Sequence, residues 1–221
     1  MRILALETSG FSGEVALLEG DQVVYEAMLT EGQRTAQSLA PGIAAALART
    51  GWRAKDLGLV AVTIGPGSFT GLRVGVTTAK TFAYAAGCEV LGIDTLDVVA
   101  AQVPLVAERG LWAVIDAQRA QLFAKRFDSV AHRWQATAPA HIVSGDDWLQ
   151  QLGDDMATGE GLKRFPPPHN VVPRELWQPR AATVGQLAWH EYQSGHRDDL
   201  WTLAPHYLRA SAAEEKADER K

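Results

Sequence analysis

A chain of 221 residues, 47% of them apolar, can form one large domain or two small ones with a real core, which excludes a largely disordered polymer. The formal net charge of −5 gives nucleic acid no overall electrostatic reason to bind, so a role on RNA calls for a partner. A single cysteine, Cys88, excludes an internal disulfide framework and a cysteine zinc site, and no stretch reaches the roughly 20 apolar residues of a membrane span. With an N-terminus, "MRILALETSG", too short for a signal peptide, the expectation is a cytoplasmic protein that makes no membrane contact.

In chain order, "RILALE" (2–7), "GEVALLE" (13–19) and "QVVYEAML" (22–29) read as three strands, the last two flanking the turn Gly20-Asp21. From Arg34 to Arg49, Leu39, Ile43 and Leu47 recur at helical spacing, and Gly51 supplies a stop. "LVAVTIG" (59–65) is a continuous apolar run of the kind found in a buried central strand. A strand at 90–94 and a helix at 95–103 complete the order βββαβαβα, which predicts a mixed sheet covered by helices.

A second pattern starts near residues 105–110. "LWAVIDA" (111–117) and "QLFAKRF" (121–127) form a predicted hairpin, "FPPPHNVVP" (165–173) an extended crossing, and "ATVGQLAWHEYQSG" (182–195) a helix. The expected division is a first lobe over 1–107, a second over 108–204, and a C-terminal segment over 205–221 whose charged tail frays.

The stretch "TIGPGSFTGLRVGVTTAKTFAY" (63–84) tests whether glycines mean phosphate. A P-loop needs a lysine directly after its closing glycine, and "GSFTGLRV" has none; the first lysine in the helix is Lys80. Gly65 and Gly67 read instead as a turn around Pro66, with Ser68 or Thr70 capping a helix that starts around Phe69. Gly71, Gly75, Ala79 and Ala83 then form a ridge of minimal side chains at spacing four. Each glycine in a helix interior costs about 1 kcal/mol against alanine, so a close approach must offset it. Ala36, Ala40, Ala44 and Ala48 repeat the device on the earlier helix, beside Leu39, Ile43 and Leu47. Such ridges let helices pack closely, either on this chain's own sheet or against a partner, and the pattern leaves both open.

Three carboxylates, Glu7, Asp94 and Asp116, end predicted strands. They suit either a two-metal nuclease or ordinary turn and helix caps. An actin-like ATPase or kinase is a further enzyme reading, with phosphate loops at "ETSGFSGE" (7–14) and "DAQRAQ" (116–121), the second lacking glycine. No two of the six histidines stand four apart, so no H-x-x-x-H metal pair exists and no residue is assigned to metal or catalysis.

Taken together, "ILALETS", "VTIGPGSFTGLRVGVTTAK", "GIDTLDVVA", "VIDAQRAQLFAKRF" and "PHYLRA" resemble the TsaB family of bacterial tRNA threonylcarbamoyladenosine biosynthesis proteins. The resemblance implies an actin-like, ribonuclease-H-like (ASKHA) α/β fold of two lobes, each a mixed β-sheet covered by helices. It implies a non-catalytic scaffold that pairs with the catalytic paralogue TsaD, and with the ATPase TsaE, to modify adenosine 37 of tRNAs reading ANN codons. Family members pair through two helices, with themselves or with TsaD, so the implied interface is Ala36, Ala40, Ile43, Leu47, Gly71, Gly75, Ala79 and Ala83, a homodimer forming when the chain is alone. No cofactor of its own is implied; ATP or ADP belongs at most to a composite site with the partner, next to the turn and loop residues Glu7, Thr8, Ser9, Gly65, Gly67 and Ser68. tRNA is met only through the complex. An autonomous nucleotide-binding enzyme is the alternative, and a metallopeptidase, suggested by the relatives' paralogy, a third.

Overall fold

The first strand, β1 (Arg2–Glu7), is apolar at every position from 3 to 6 because both of its faces are covered. Leu4 and Leu6 point into one core with Leu39, Ile43 and Val76, while Ile3 and Ala5 point into another with Ala181, Val184 and Ala188. β1 pairs antiparallel with β2 (Glu14–Glu19) on one side and parallel with β4 (Leu59–Gly65) on the other. With β3 (Gln22–Met28) and β5 (Glu89–Asp94) the sheet runs β3-β2-β1-β4-β5, the mixed sheet expected from the order βββαβαβα. The computed structural model describes residues 1–10, 12–29, 35–106 and 109–209. Arg34, the expected lobe boundary at 107 and 108, and the charged tail from 210 onward lie outside them.

Helices α1 (Thr35–Thr50) and α2 (Phe69–Ala86) lie side by side on one face of this sheet. α2 starts where expected: the Ser68 hydroxyl accepts from the Gly71 N–H at 3.2 Å, and the helix ends on Gly87 in the left-handed region at φ 68°. α3 (Thr95–Ala101) follows β5, with Asp94 as its N-cap, accepting from the Leu96 and Asp97 N–H groups at 2.8 and 3.3 Å.

The second sheet contains β6 (Leu111–Asp116), β7 (Gln121–Val130), β8 (Arg133–Ala136), β9 (His141–Ser144) and, after α4 (Gly145–Leu152), β10 (Met156–Thr158). Its order is β10-β6-β7-β8 with β9 also on β7, and β10 is parallel to β6, so this sheet is mixed too. One face packs on α3 through Leu111, Ala113 and Phe127; the other covers Trp148 and Leu152 of α4. Lys125 of β7 reaches Asp97 at 2.7 Å and Asp94 at 3.7 Å, tying the two sheets together through α3.

The lobe division needs correction. α5 (Ala181–Gln193), placed by sequence in the second lobe, crosses back and packs on β1, β2, β4 and β5. Its small face (Ala181, Val184, Gly185, Ala188) fits against Ile3, Ala5 and Leu18, and a Cβ on Gly185 would stand 2.3 Å from Leu18. Without it, that side of β1 and β4 would be an apolar surface in water.

Candidate functional site

A cleft of about 1070 Å³ opens between the lobes. Its first-lobe wall is the loop after β1 and the turn into α2; its second-lobe wall is the β6–β7 turn and the segment around Trp177. Of the turn and loop residues expected from sequence, Glu7, Ser9, Gly67 and Ser68 line this cleft. Thr8 and Gly65 do not. The Thr8 side chain is buried beneath α2, its hydroxyl without a hydrogen-bond partner, and Gly65 at φ 126° sits under the His206 carbonyl, where a Cβ would come within 2.6 Å.

Glu7 sits at the floor of the cleft and is almost wholly buried. Its carboxylate accepts from the Ser9 N–H at 2.7 Å, from the Ser9 hydroxyl, and from the Thr63 hydroxyl at 3.4 Å. Burial pushes its pKa up to about 7; the Ser9 hydrogen bonds oppose this, and the neighbouring Glu14 charge adds to it. Glu14, opposite Glu7 in the β1–β2 register, is raised as well, again mainly by burial. It accepts from the Ala181 N–H at 2.7 Å, and Glu26 accepts from Ala182 at 3.1 Å and pairs with Arg180. Two carboxylates from the sheet thus cap the N-terminus of α5, whose own N-cap residue, Arg180, contributes no side-chain bond.

The turn into α2 is held shut by its own groups: Ser68 N–H donates to the Ser9 carbonyl at 2.7 Å, and a Cβ on Gly67 would stand 2.5 Å from that oxygen. Across the cleft, Asp116 accepts from the Gln118 N–H at 2.7 Å and meets Arg164 at 3.7 Å. Asp94 is taken up as the α3 cap and by Lys125, so of the three strand-end carboxylates Asp94 and Asp116 serve as cap, turn and ion-pair partners while Glu7 is held by Ser9 and Thr63. Among the described residues no group of three or more His, Cys, Asp or Glu side chains is placed to hold a metal ion.

The eight expected interface residues divide unequally. Ala36 and Ala40 are exposed, as are Ala44 and Ala48 of the same ridge, and Leu47 is half-buried. Ile43, Gly71, Gly75, Ala79 and Ala83 are buried in this chain itself, which corrects their assignment to a partner contact. The α2 ridge lies on the β1 loop: a Cβ on Gly71 would stand 2.1 Å from the Thr8 carbonyl, and one on Gly75 2.0 Å from the Thr8 hydroxyl. Close approach is what these glycines permit, but the neighbour is Thr8.

Sequence reasoning named the β6–β7 loop of the far wall but missed the rest of it. Gly159, at φ 106°, runs against β6, where a Cβ would meet the Val114 carbonyl at 2.1 Å, and it places Glu160 at the rim. Tyr207 and Arg209 also line the cleft. "TGEG" at 158–161 and "PHYLRA" at 205–210 were the available signals, the first a glycine pair at a strand end and the second a motif without an assigned role.

The family model "TsaD: tRNA N6-adenosine threonylcarbamoyltransferase" matches residues 32–187. A Bacillus subtilis protein named "tRNA threonylcarbamoyladenosine biosynthesis protein TsaB" is 27% identical, the alignment covering 98% of this chain and 97% of that one. A Haemophilus influenzae protein of the same name is 28% identical over 95% and 94%. Among solved structures, YeaZ from Pseudomonas aeruginosa superposes with a TM-score of 0.79 at 21% identity, covering 94% of this chain and 99% of that one, which supports the fold.

Proposed function

The chain belongs to the family described as "TsaD: tRNA N6-adenosine threonylcarbamoyltransferase", as a TsaB member of it, and from that premise we propose that it is the non-catalytic subunit of a tRNA-modifying complex. Its role lies in tRNA threonylcarbamoyladenosine biosynthesis. In this reading it supports a catalytic TsaD subunit together with the ATPase TsaE, meets tRNA only through them in the cytoplasm, and pairs with itself when alone. The observation that carries the proposal is the outward stripe Ala36, Ala40, Ala44 and Ala48 on α1. Side chains this small let a second helix pair approach closely, and the stripe is apolar where a purely solvated face would be polar.

The cleft supports an accessory role. Its floor carboxylate, Glu7, is buried and already accepts from Ser9 and Thr63, which leaves it little capacity to hold a metal or to receive a proton from an attacking group. ATP or ADP then belongs at a composite site formed with the partner. Reconstituted threonylcarbamoyl transfer with TsaD, TsaE and tRNA tests the proposal: leaving this chain out should reduce product to background, and undiminished product would overturn it. Turnover of magnesium ATP by the isolated chain would overturn the non-catalytic part.

A further inference from the structure

After α5 the chain runs back over the first lobe and reaches the second at Arg209. Asp198 accepts from the Gly92 N–H at 2.8 Å, Lys80 donates to the Trp201 and Leu203 carbonyls at 3.0 and 2.9 Å, and Leu203 enters the core beneath α2. His206 N–H then donates to the Ile64 carbonyl at 2.7 Å, directly over Gly65. Tyr207 stacks on Phe69 in the first turn of α2 with ring centroids 4.7 Å apart, and Arg73 closes the stack, its Nε donating to the Tyr207 hydroxyl at 3.0 Å. Two residues on, the Arg209 guanidinium donates to the Ala117 carbonyl and to Gln121 Oε1 at the β6–β7 turn of the other lobe.

We propose that Leu203–Arg209 is a clasp that sets the width of the interlobe cleft, anchored on α2 by Tyr207 and latched to the second lobe by Arg209. Two other ties join the lobes: α3, from which no residue lines the cleft, and the segment entering α5, where Arg180 meets Glu26 and Gln102 at the cleft wall; the clasp is the tie that runs from the turn into α2 to the β6–β7 turn. The anchor is deep and the latch shallow. Leu203 is in the core and Tyr207 is stacked and hydrogen-bonded, whereas Arg209 binds two neutral acceptors and, among the described residues, no carboxylate. Hydrogen bonds from a charged donor to neutral acceptors are worth about tenfold or more in an equilibrium, enough to hold the cleft and little enough to release it. Anything that shifts the first turn of α2 is therefore felt at the β6–β7 turn.

The test is made on the full chain in a Cys88→Ser background, with spin labels at Thr70→Cys and Glu175→Cys on opposite cleft walls. Arg209→Ala should lengthen and broaden the label distance, and amide exchange at 116–121 should speed by about tenfold, the loss expected for such a latch. Gln121→Ala, which removes a side-chain acceptor and leaves the clasp intact, should shift both readouts in the same direction, and Arg209→Lys should restore part of the effect. Arg197→Ala is the control, since its guanidinium bonds the nearby Tyr192 and His196 carbonyls and lies over the Tyr192 ring, all within the end of α5 and the first-lobe segment after it. Parental distances and exchange rates in both Arg209→Ala and Gln121→Ala would overturn the proposal. So would an equal shift in Arg197→Ala.

Discussion

Helices α1 and α2 carry the same sequence device, small residues every fourth position, and the fold uses it in opposite ways. On α1 the alanines face outward while Leu39, Ile43 and Ala46 fill the core. On α2 the glycines and alanines are themselves the inner face, resting on Thr8 and the sheet. A ridge of small residues therefore reports a close approach but not the side on which it happens. The side is decided by what stands opposite. At about 100° per residue, Arg73, Thr77 and Thr81 fall across α2 from Gly75, a polar stripe that marks the outer face. α1 has only scattered polar positions such as Gln37 and Arg49, so its bulky stripe had to decide the matter.

Breaking the inner ridge should have the largest effect. Gly75→Leu forces a branched side chain into the space of Thr8, which overpacking data put at about 3 kcal/mol. For a chain of this size that lowers Tm by about 6–12 °C, or abolishes folding, measured by calorimetry. A Gly75→Leu variant with parental Tm would mean that α2 faces outward after all. Gly71→Ala comes next: its Cβ meets a backbone carbonyl, which cannot rotate away, while alanine recovers about 1 kcal/mol of helix propensity. The net expected loss is about 1–2 kcal/mol in urea denaturation, at the lower end of overpacking costs once that gain is subtracted.

The floor of the cleft supplies the third contrast, between the site and the rest of the chain. Glu7 has its pKa raised by burial from 4.5 to about 7, so the folded state holds a proton that the unfolded chain has released. Its contribution is fully present below about pH 4.5 and is lost as pH rises through about 7, at most roughly 3 kcal/mol by the free energy of a pKa unit. Glu14 and Asp94, also raised mainly by burial, act with the same sign. Stability should therefore fall between about pH 4.5 and 7, and Glu7→Gln should flatten that slope. An unchanged slope would show that Glu7 is charged in the fold.

How much of this was legible follows from the range of the interactions. β1, β2 and β4 were readable because strands covered on both faces must be apolar throughout, a local property. The Gly65–Gly67 turn and the Ser68 cap were readable for the same reason. α5 was recognisable as a helix but not as part of the first lobe, because its small face is explained only by Ile3, Ala5 and Leu18, more than 160 residues away in the chain. Glu7 was visible as a strand-end carboxylate, yet its burial depends on Ser9 and Thr63 folding over it. Nothing local marks Glu14 and Glu26, which lie in predicted strands, as helix caps; the arrival of α5 makes them so.

The outer ridge should show the smallest effect on stability and thereby sharpen the contrast most. Ala40 is exposed, so Ala40→Glu should change stability by no more than about 0.5 kcal/mol, the usual range for such surface sites. The same carboxylate placed in a close helix–helix contact would be buried without a partner, which is strongly unfavourable. Co-purification with a TsaD subunit, or self-association measured by sedimentation, should then fall sharply while the melting curve stays parental. If binding persists at parental strength, the partner sits elsewhere and the alanine stripe is only a solvated face. If the variant instead unfolds like Gly75→Leu, α1 is packed as tightly as α2 and the difference between the two ridges disappears.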